Sequence, residues 1–182
     1  MTAGQRLPEG RVVDAGARAA YRLRPTVRAD AELFCTWRYG GLYTMYDQRP
    51  ELRANYLEPS FRYHSVSDAR GALVGFCCFG ADARVLGITY DDSALDIGLG
   101  MAPALTGRGQ GAGFVAAIVD FAQGHFRPSA LRLTVAAFNR RAITVYERNR
   151  FAAAERHQLR RYGVLLDFVV MKRRCEASSA AP

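Results

Sequence analysis

The chain has 182 residues, 49% of them hydrophobic, which is enough for one domain with a buried core and too much for wholesale disorder. No apolar run approaches the length that spans a bilayer, and the N-terminus lacks the apolar core of a signal peptide. The net charge of +8 is carried almost wholly by arginine, without the clusters of basic and aromatic residues that typify nucleic-acid surfaces.

The four cysteines show no Cys-x-x-Cys spacing and are expected to be reduced structural thiols. We therefore expect a cytoplasmic protein that has no membrane partner and no metal site, and we disfavour nucleic acid as a partner. The basic charge suits an anionic ligand equally well.

Strand and helix patterns alternate along the chain. Residues 1–19 show no periodicity and predict a flexible leader, residues 20–174 predict one α+β domain, and residues 175–182 predict a flexible tail. Alternating or apolar runs between turn residues predict strands at 21–24, 61–66, Leu73–Phe79, 84–90, 94–101, 131–136, 153–161 and 164–171. Helical spacing predicts helices after a cap at Asp30, near 50–56, over Gly111–Phe126 and from Asn139 to 149.

A glycine-rich turn joins the strand at 94–101 to the helix that follows. Its alternating glycines are Gly107, Gly109, Gly111 and Gly113. Glycines at this spacing let the backbone turn sharply and bring bare N–H groups close to an anion. The following helix adds unpaired N–H groups and the positive end of its dipole, and Arg108 adds a formal charge. The segment therefore predicts a pyrophosphate site.

Other glycine-rich loops fit this segment less well. A nucleotide P-loop needs a lysine that the segment lacks. The run from Gly107 to Ala112 formally satisfies a dinucleotide fingerprint, but the next strand leads to Asn139 instead of the acidic residue that would hold a ribose. A glycine-rich turn that binds nothing is the remaining alternative.

A second motif, Asn-x-x-Ala-x-x-x-Tyr, begins at Asn139 and continues to Phe151. Together with the turn from Thr106 to Gly111, it resembles the GNAT superfamily of N-acetyltransferases, especially its bacterial ribosomal-protein and small-amine branches. The likeness covers roughly residues 21 to 172. Two positions depart from the family pattern, because Thr106 replaces a leading Arg or Gln and Arg150 replaces a glycine; a register that begins at Arg108 is also open.

The resemblance implies a fold and an activity. The fold is one α+β domain with a twisted, mostly antiparallel sheet of about seven strands, flanked by about four helices. The activity is transfer of an acetyl group from acetyl-CoA to a primary amine of a small molecule or a protein N-terminus, by direct attack in a ternary complex. A non-catalytic acyl-CoA-binding regulatory module is the alternative, and the resemblance leaves a homodimer open.

The resemblance also implies cofactor-binding residues. Backbone groups of Leu99, Gly100 and Met101 would hold the pantetheine arm, on a strand that splays from its neighbour. The pyrophosphate would be held by Thr106, Gly107, Arg108, Gly109, Gln110 and Gly111. Asn139 would hydrogen-bond the amide arm, cap its own helix, or do both.

Tyr146 is the predicted general acid, because amine attack on a thioester expels a thiolate that needs a proton; a packed aromatic is the alternative. Asp96 is predicted as base or substrate anchor, with a structural ion pair as its alternative. The resemblance implies that the segment from Trp37 to Asp47 forms the acceptor pocket, and its aromatic rings and one carboxylate would suit a cationic amine. Its candidate residues are Trp37, Tyr43, Tyr46 and Asp47, and their alternative role is core packing.

Overall fold

The computed structural model of the chain describes residues 21–175. The predicted leader lies outside the described residues, as does the predicted tail apart from Cys175. In the described part, seven strands form one sheet with four α-helices around it, which confirms the predicted fold. The strands are β1 (Arg22–Pro25), β2 (His64–Ser67), β3 (Leu73–Phe79), β4 (Leu95–Met101), β5 (Ala130–Ala136), β6 (Ala152–Arg161) and β7 (Val164–Arg174). The helices are α1 (Arg28–Phe34), α2 (Arg53–Leu57), α3 (Gly111–Phe126) and α4 (Arg140–Arg148).

The sheet has the order β1-β2-β3-β4-β5-β7-β6, and only the central pair β4–β5 is parallel. Helices cover both faces of the sheet. Successive residues of a strand point to opposite faces, so two neighbouring residues of β3 meet different helices. A Cβ on Gly75 would lie 2.5 Å from the Phe114 ring of α3, so α3 lies directly on that face. The neighbouring Phe76 packs with Phe34 and Trp37 in a separate aromatic core on the α1 and α2 side.

Helix α3 is placed by its apolar stripe, whose buried members are Phe114, Val115, Ile118, Val119 and Ala122. The helix ends at Arg127, which adopts the left-handed conformation with φ +48° just before Pro128. None of the helices in residues 21–175 is both long and apolar enough to cross a membrane.

The predicted strand at 84–90 is wrong. This segment is a loop, in which Gly87 takes a φ of +86° and the side chain of Leu86 is exposed. The Tyr90 hydroxyl accepts from Val85 N at 3.0 Å, so the loop closes on itself instead of extending. Its apolar residues had suggested a strand, but in the structure this segment pairs with no strand of the sheet.

Several boundaries also differ from the prediction, and two of them have a clear local cause. Val27, not Asp30, is the N-cap of α1; Asp30 is buried in the first turn, where Arg24 and Ser65 donate to its carboxylate. Strand β2 begins at His64 because the preceding residues form a short 3₁₀ helix, which ends at Arg62 in the left-handed conformation.

Candidate active site

Strands β4 and β5 run side by side for two residues and then separate. Leu95 pairs with Leu131 and Asp96 with Arg132, while β5 continues along its whole length with β7. Beyond Asp96, β4 therefore has no ladder partner on β5, and a gap opens in the middle of the sheet. The predicted splay of this strand is present.

Hydrogen bonds to β3 decide which backbone groups of β4 face the gap. Ala102 N donates to Val74 O at 2.9 Å, which continues the β3–β4 register one residue past the strand. Antiparallel pairing alternates along a strand, so the even-numbered residues of β4 turn their backbone groups toward β3. The N–H and C=O groups of Leu99 and Met101 consequently point toward the gap.

Tyr39 closes one end of this gap. Its hydroxyl donates to Met101 O at 2.8 Å, and its backbone N donates to the Asp47 carboxylate at 2.6 Å. Burial raises the pKa of Tyr39, with a smaller contribution from the Asp47 charge, so the phenol keeps its proton. Tyr39 belongs to the segment predicted to form the acceptor pocket, but its contact with the Met101 carbonyl was not predicted.

The glycines of β4 have a packing reason as well as the predicted functional one. A Cβ on Gly100 would lie 2.7 Å from the Phe76 ring, and one on Gly98 would lie 2.7 Å from the Cys78 sulfur. Side chains of β3 therefore lie across β4 at these two positions.

The glycine-rich turn lies between β4 and α3. Gly107 and Gly109 take φ values of +75° and +77°, the left-handed region that favours glycine. Thr106 uses its hydroxyl locally and donates to Pro103 O at 2.9 Å. Gln110, the N-cap of α3, makes no side-chain capping bond, which leaves the first-turn N–H groups of a 16-residue helix available to an anion.

Helices α3 and α4 are held together next to this turn. A Cβ on Gly111 would lie 3.0 Å from the Val145 side chain, so the helices approach closely there. The buried Asn149 side chain donates to Ala112 O at 3.2 Å and to Val145 O at 2.9 Å. Asn149 thus fixes the start of α3 against the end of α4; sequence reasoning used it only as a helix boundary.

Helix α4 carries Asn139 and Tyr146. Asn139 is the N-cap, and its side-chain oxygen accepts from Ala142 N at 3.2 Å. Tyr146 is 8% exposed and contacts Phe151 edge-on. Burial raises the pKa of Tyr146, and the nearby Tyr46 adds to the shift.

Tyr46 extends toward Tyr146 and Asn139 from the 3₁₀ helix Gly41–Tyr46. Its hydroxyl is buried and has no hydrogen-bond partner among the described residues. Burial raises the pKa of Tyr46, while the Asn139 side chain and the Ala136 backbone oppose the rise. The Asn139 side chain and the Ala136 backbone are therefore close to the hydroxyl without making a well-formed hydrogen bond to it, and a buried hydroxyl satisfied this loosely suits a position that a ligand completes.

The other predicted acceptor residues divide between two environments. Trp37 is 8% exposed and packs against Phe34 and Phe76, with ring centroids 5.1 and 6.0 Å away, which matches its alternative as a core residue. Tyr43 lies at the edge of the site, edge-on to Phe138 at 5.7 Å. Phe138, which also contacts the Tyr46 ring, was not anticipated from the sequence.

Asp96 lies in a buried ion pair. The Arg132 guanidinium donates to both of its oxygens, at 2.5 and 2.9 Å, and Arg84 donates to one of them at 2.7 Å. Asp96 and Arg132 are 3% and 2% exposed. A carboxylate enclosed in this way has neither the access nor the free lone pairs that a base needs, so the geometry matches the structural alternative and not the predicted catalytic role.

Comparison with known proteins identifies the family. The profile of the acetyltransferase (GNAT) family matches residues 28–151, which is more than half of the chain. No curated protein matches the sequence at a significant level.

Solved structures share the fold at low sequence identity. A spermidine N-acetyltransferase from Vibrio cholerae in complex with CoA and spermine superposes with a TM-score of 0.63 at 18% identity, covering 85% of this chain and 95% of that one. A chimera of the Vibrio cholerae enzyme SpeG and hSSAT gives 0.66 at 19% identity, with the same coverage. A candidate phosphinothricin N-acetyltransferase gives 0.67 at 16% identity, covering 86% of this chain and 99% of that one. On the family match, the chain belongs to the GNAT family of acetyltransferases.

Proposed function

We propose that this protein transfers the acetyl group of acetyl-CoA to a primary amine by direct attack in a ternary complex. The observation that carries the proposal is the gap between β4 and β5, where the backbone groups of Leu99 face away from β3 and the buried Tyr146 belongs to the same hydrophobic cluster as Leu99.

The residues around the gap fit the cofactor, which supplies the acetyl group as a reactive thioester. The backbone groups of Leu99 and Met101 are positioned to hydrogen-bond the amides of a pantetheine arm, as an added strand would. The turn from Thr106 to Gly111 and the uncapped start of α3 suit a pyrophosphate, and Arg108 adds a charge. Gly100 and Asn139 would border the arm.

Tyr146 is the proposed proton donor. When the new C–N bond forms and the C–S bond breaks, the Tyr146 hydroxyl would give its proton to the departing sulfur and would regain one from solvent, which takes up the proton that the amine loses. Its raised pKa keeps the hydroxyl protonated at neutral pH and also makes it a weaker acid. We therefore expect donation to accompany sulfur departure and not to precede it.

Cysteine chemistry supports direct attack. A covalent acetyl-enzyme would need an accessible thiolate. Cys77 and Cys78 are buried in β3, and burial raises the pKa of both thiols. Cys35 is also buried and Cys175 is half-buried, and burial raises the pKa of both thiols as well.

The acceptor side is assigned to the 3₁₀ helix Gly41–Tyr46 and its neighbour Asp47. Tyr43 and Tyr46 would bound the amine, and the Asp47 carboxylate would add the negative charge nearest to it. The attacking amine must lose a proton, at a cost of roughly 4–5 kcal/mol for a free alkylamine at pH 7. We assign no base to this step, because Asp96 is held by arginines.

Calorimetric titration with acetyl-CoA, followed by a thiol-release assay, tests the proposal. The amine panel contains small monoamines, spermidine, spermine and peptides with free N-termini; the polyamines are included because a structural neighbour was crystallised with spermine. We expect acetyl-CoA binding and turnover with one acceptor class. In Tyr146→Phe, kcat should fall about 100-fold with little change in acetyl-CoA affinity.

Tyr162→Phe is the matched control, since Tyr162 is 73% exposed in the β6–β7 turn and should behave as wild type. Binding without turnover for any acceptor would favour the regulatory-module alternative. Absence of acetyl-CoA binding would refute the proposed function.

A further inference from the structure

Arg141 lies between the glycine-rich turn and the acceptor-side 3₁₀ helix. Its guanidinium carbon is 4.4 Å from the ring centroid of Tyr43, a cation–π distance. Its Nη1 is 3.7 Å from the point that a Cβ on Gly107 would occupy. One exposed side chain on the first turn of α4 therefore contacts Tyr43 and lies next to the glycine-rich turn.

The setting of Arg141 differs from that of the arginines with structural partners. Arg24, Arg84 and Arg132 each pair with an aspartate at 2.7 Å or less. Among the described residues, Arg141 has no carboxylate within ion-pair distance, and its contact is the face of an aromatic ring. A guanidinium stacked on a ring keeps its edge N–H groups free to donate.

Those free N–H groups lie next to the part of the chain that is best suited to an anion. Gly107 and Gly109 adopt positive φ, and α3 begins without a side-chain cap. A planar guanidinium with fixed N–H directions matches the oxygens of a phosphate. We propose that Arg141 binds the pyrophosphate of the cofactor together with the turn from Thr106 to Gly111, in a position set by its stack on Tyr43; this inference rests on the proposed function.

The arrangement links the cofactor to the acceptor side of the site. Tyr43 contacts Arg141 through its face and Phe138 edge-on, and Phe138 is followed directly by Asn139. A pyrophosphate that holds Arg141 would also hold the Tyr43 ring against Phe138. The 3₁₀ helix Gly41–Tyr46 would then be held more firmly in place for the amine when the cofactor is bound.

Calorimetry with three non-acetylated ligands tests Arg141 without any turnover: CoA, dephospho-CoA and pantetheine. Loss of charge-assisted hydrogen bonds should weaken CoA binding to Arg141→Gln by ~10-fold or more. The substitution should weaken the binding of dephospho-CoA by the same factor, because dephospho-CoA keeps the pyrophosphate. It should not change the binding of pantetheine, which has no phosphate. Arg140→Gln is the matched control, because Arg140 is the exposed neighbouring residue and its guanidinium stacks on no ring of residues 21–175; this variant should bind as wild type.

Tyr43→Leu and the double variant test the stack. Tyr43→Leu should weaken CoA binding by less than Arg141→Gln does, and the effect of Arg141→Gln should shrink in the Tyr43→Leu background, because the two residues act as a unit. Independent effects would refute the role given to Tyr43. The pyrophosphate assignment alone would be refuted if Arg141→Gln bound CoA as tightly as wild type does. It would also be refuted if the substitution weakened the binding of CoA but not that of dephospho-CoA. A wild-type protein that does not bind CoA would instead refute the proposed function.

Discussion

Asp96 and Arg132 show how a single residue pair organises the centre of the site. Each is almost fully buried, and the pair lies where β4 and β5 are last hydrogen-bonded. Arg132 is further enclosed by Tyr90, whose ring centroid is 4.9 Å from the guanidinium carbon. Asp91 pairs with the same guanidinium from the exposed side, at 2.6 Å. This buried ion pair therefore links β4 to β5 just before the gap opens.

Asp96→Asn is expected to lower the free energy of unfolding by about 3–5 kcal/mol, since it leaves the Arg132 charge buried with only partial compensation. Asp91→Asn, the control, removes a partner that is 59% exposed to solvent and should lower the free energy of unfolding far less than Asp96→Asn does. Urea unfolding measures both changes. If Asp96→Asn instead kept its stability while kcat collapsed, Asp96 would be the base that the sequence suggested.

Among the elements, the glycine-rich turn and α3 act together. The turn requires positive φ at Gly109, where a Cβ would meet no atom within 4 Å, so only backbone strain opposes a side chain. Gly124, inside α3, also has open space around its Cβ position but is not in the left-handed region. The same substitution at the two glycines therefore separates the demand of the turn from the general effect of adding a methyl group.

Gly109→Ala is expected to destabilise the protein by about 1–2 kcal/mol and to weaken CoA binding, because the left-handed conformation is costly for alanine. Gly124→Ala should stabilise by about 0.5–1 kcal/mol and leave CoA binding unchanged, since alanine is the better helix former. Thermal unfolding and calorimetry check the pair. Equal effects of the two substitutions on CoA affinity would remove the turn from the binding site.

For the whole molecule, buried phenols make stability sensitive to alkali. Among the described residues, burial raises the pKa of six tyrosines above the ordinary value of 10.0; these are Tyr21, Tyr39, Tyr46, Tyr56, Tyr63 and Tyr146. Below pH 10 the phenols are protonated in both the folded and the unfolded chain. Above pH 10 the unfolded chain releases protons that the folded chain retains, so the free energy of unfolding should fall as pH rises.

Urea unfolding at pH 8 and pH 11 measures this loss. Tyr56 is 2% exposed, so Tyr56→Phe should make the decline with pH shallower than in wild type. Tyr162→Phe, in an exposed turn, should leave the decline unchanged. A free energy of unfolding that stayed constant between pH 8 and pH 11 would contradict the effect of burial on these pKa values.

Much of the fold was predictable because its signals lie within short stretches of chain. The apolar spacing of α3, the cap at Asn139 and the turn residues around most strands depend on residues a few positions apart. The failed strand at 84–90 had apolar residues but no partner strand, and only pairing distinguishes those cases. The motif from Asn139 to Phe151 indicated the family on the same local basis.

The sequence by itself determined the order of the elements, the glycine-rich turn before α3 and the family, since each is written in neighbouring residues. The roles proposed for Tyr146 and the turn stay predictions. Tertiary structure alone decided that Asp96 meets Arg132, that Trp37 enters the aromatic core and that Arg141 reaches Gly107. These contacts join residues about 34 to 39 positions apart, and their geometry depends on how strands pair and helices pack, which no local pattern encodes.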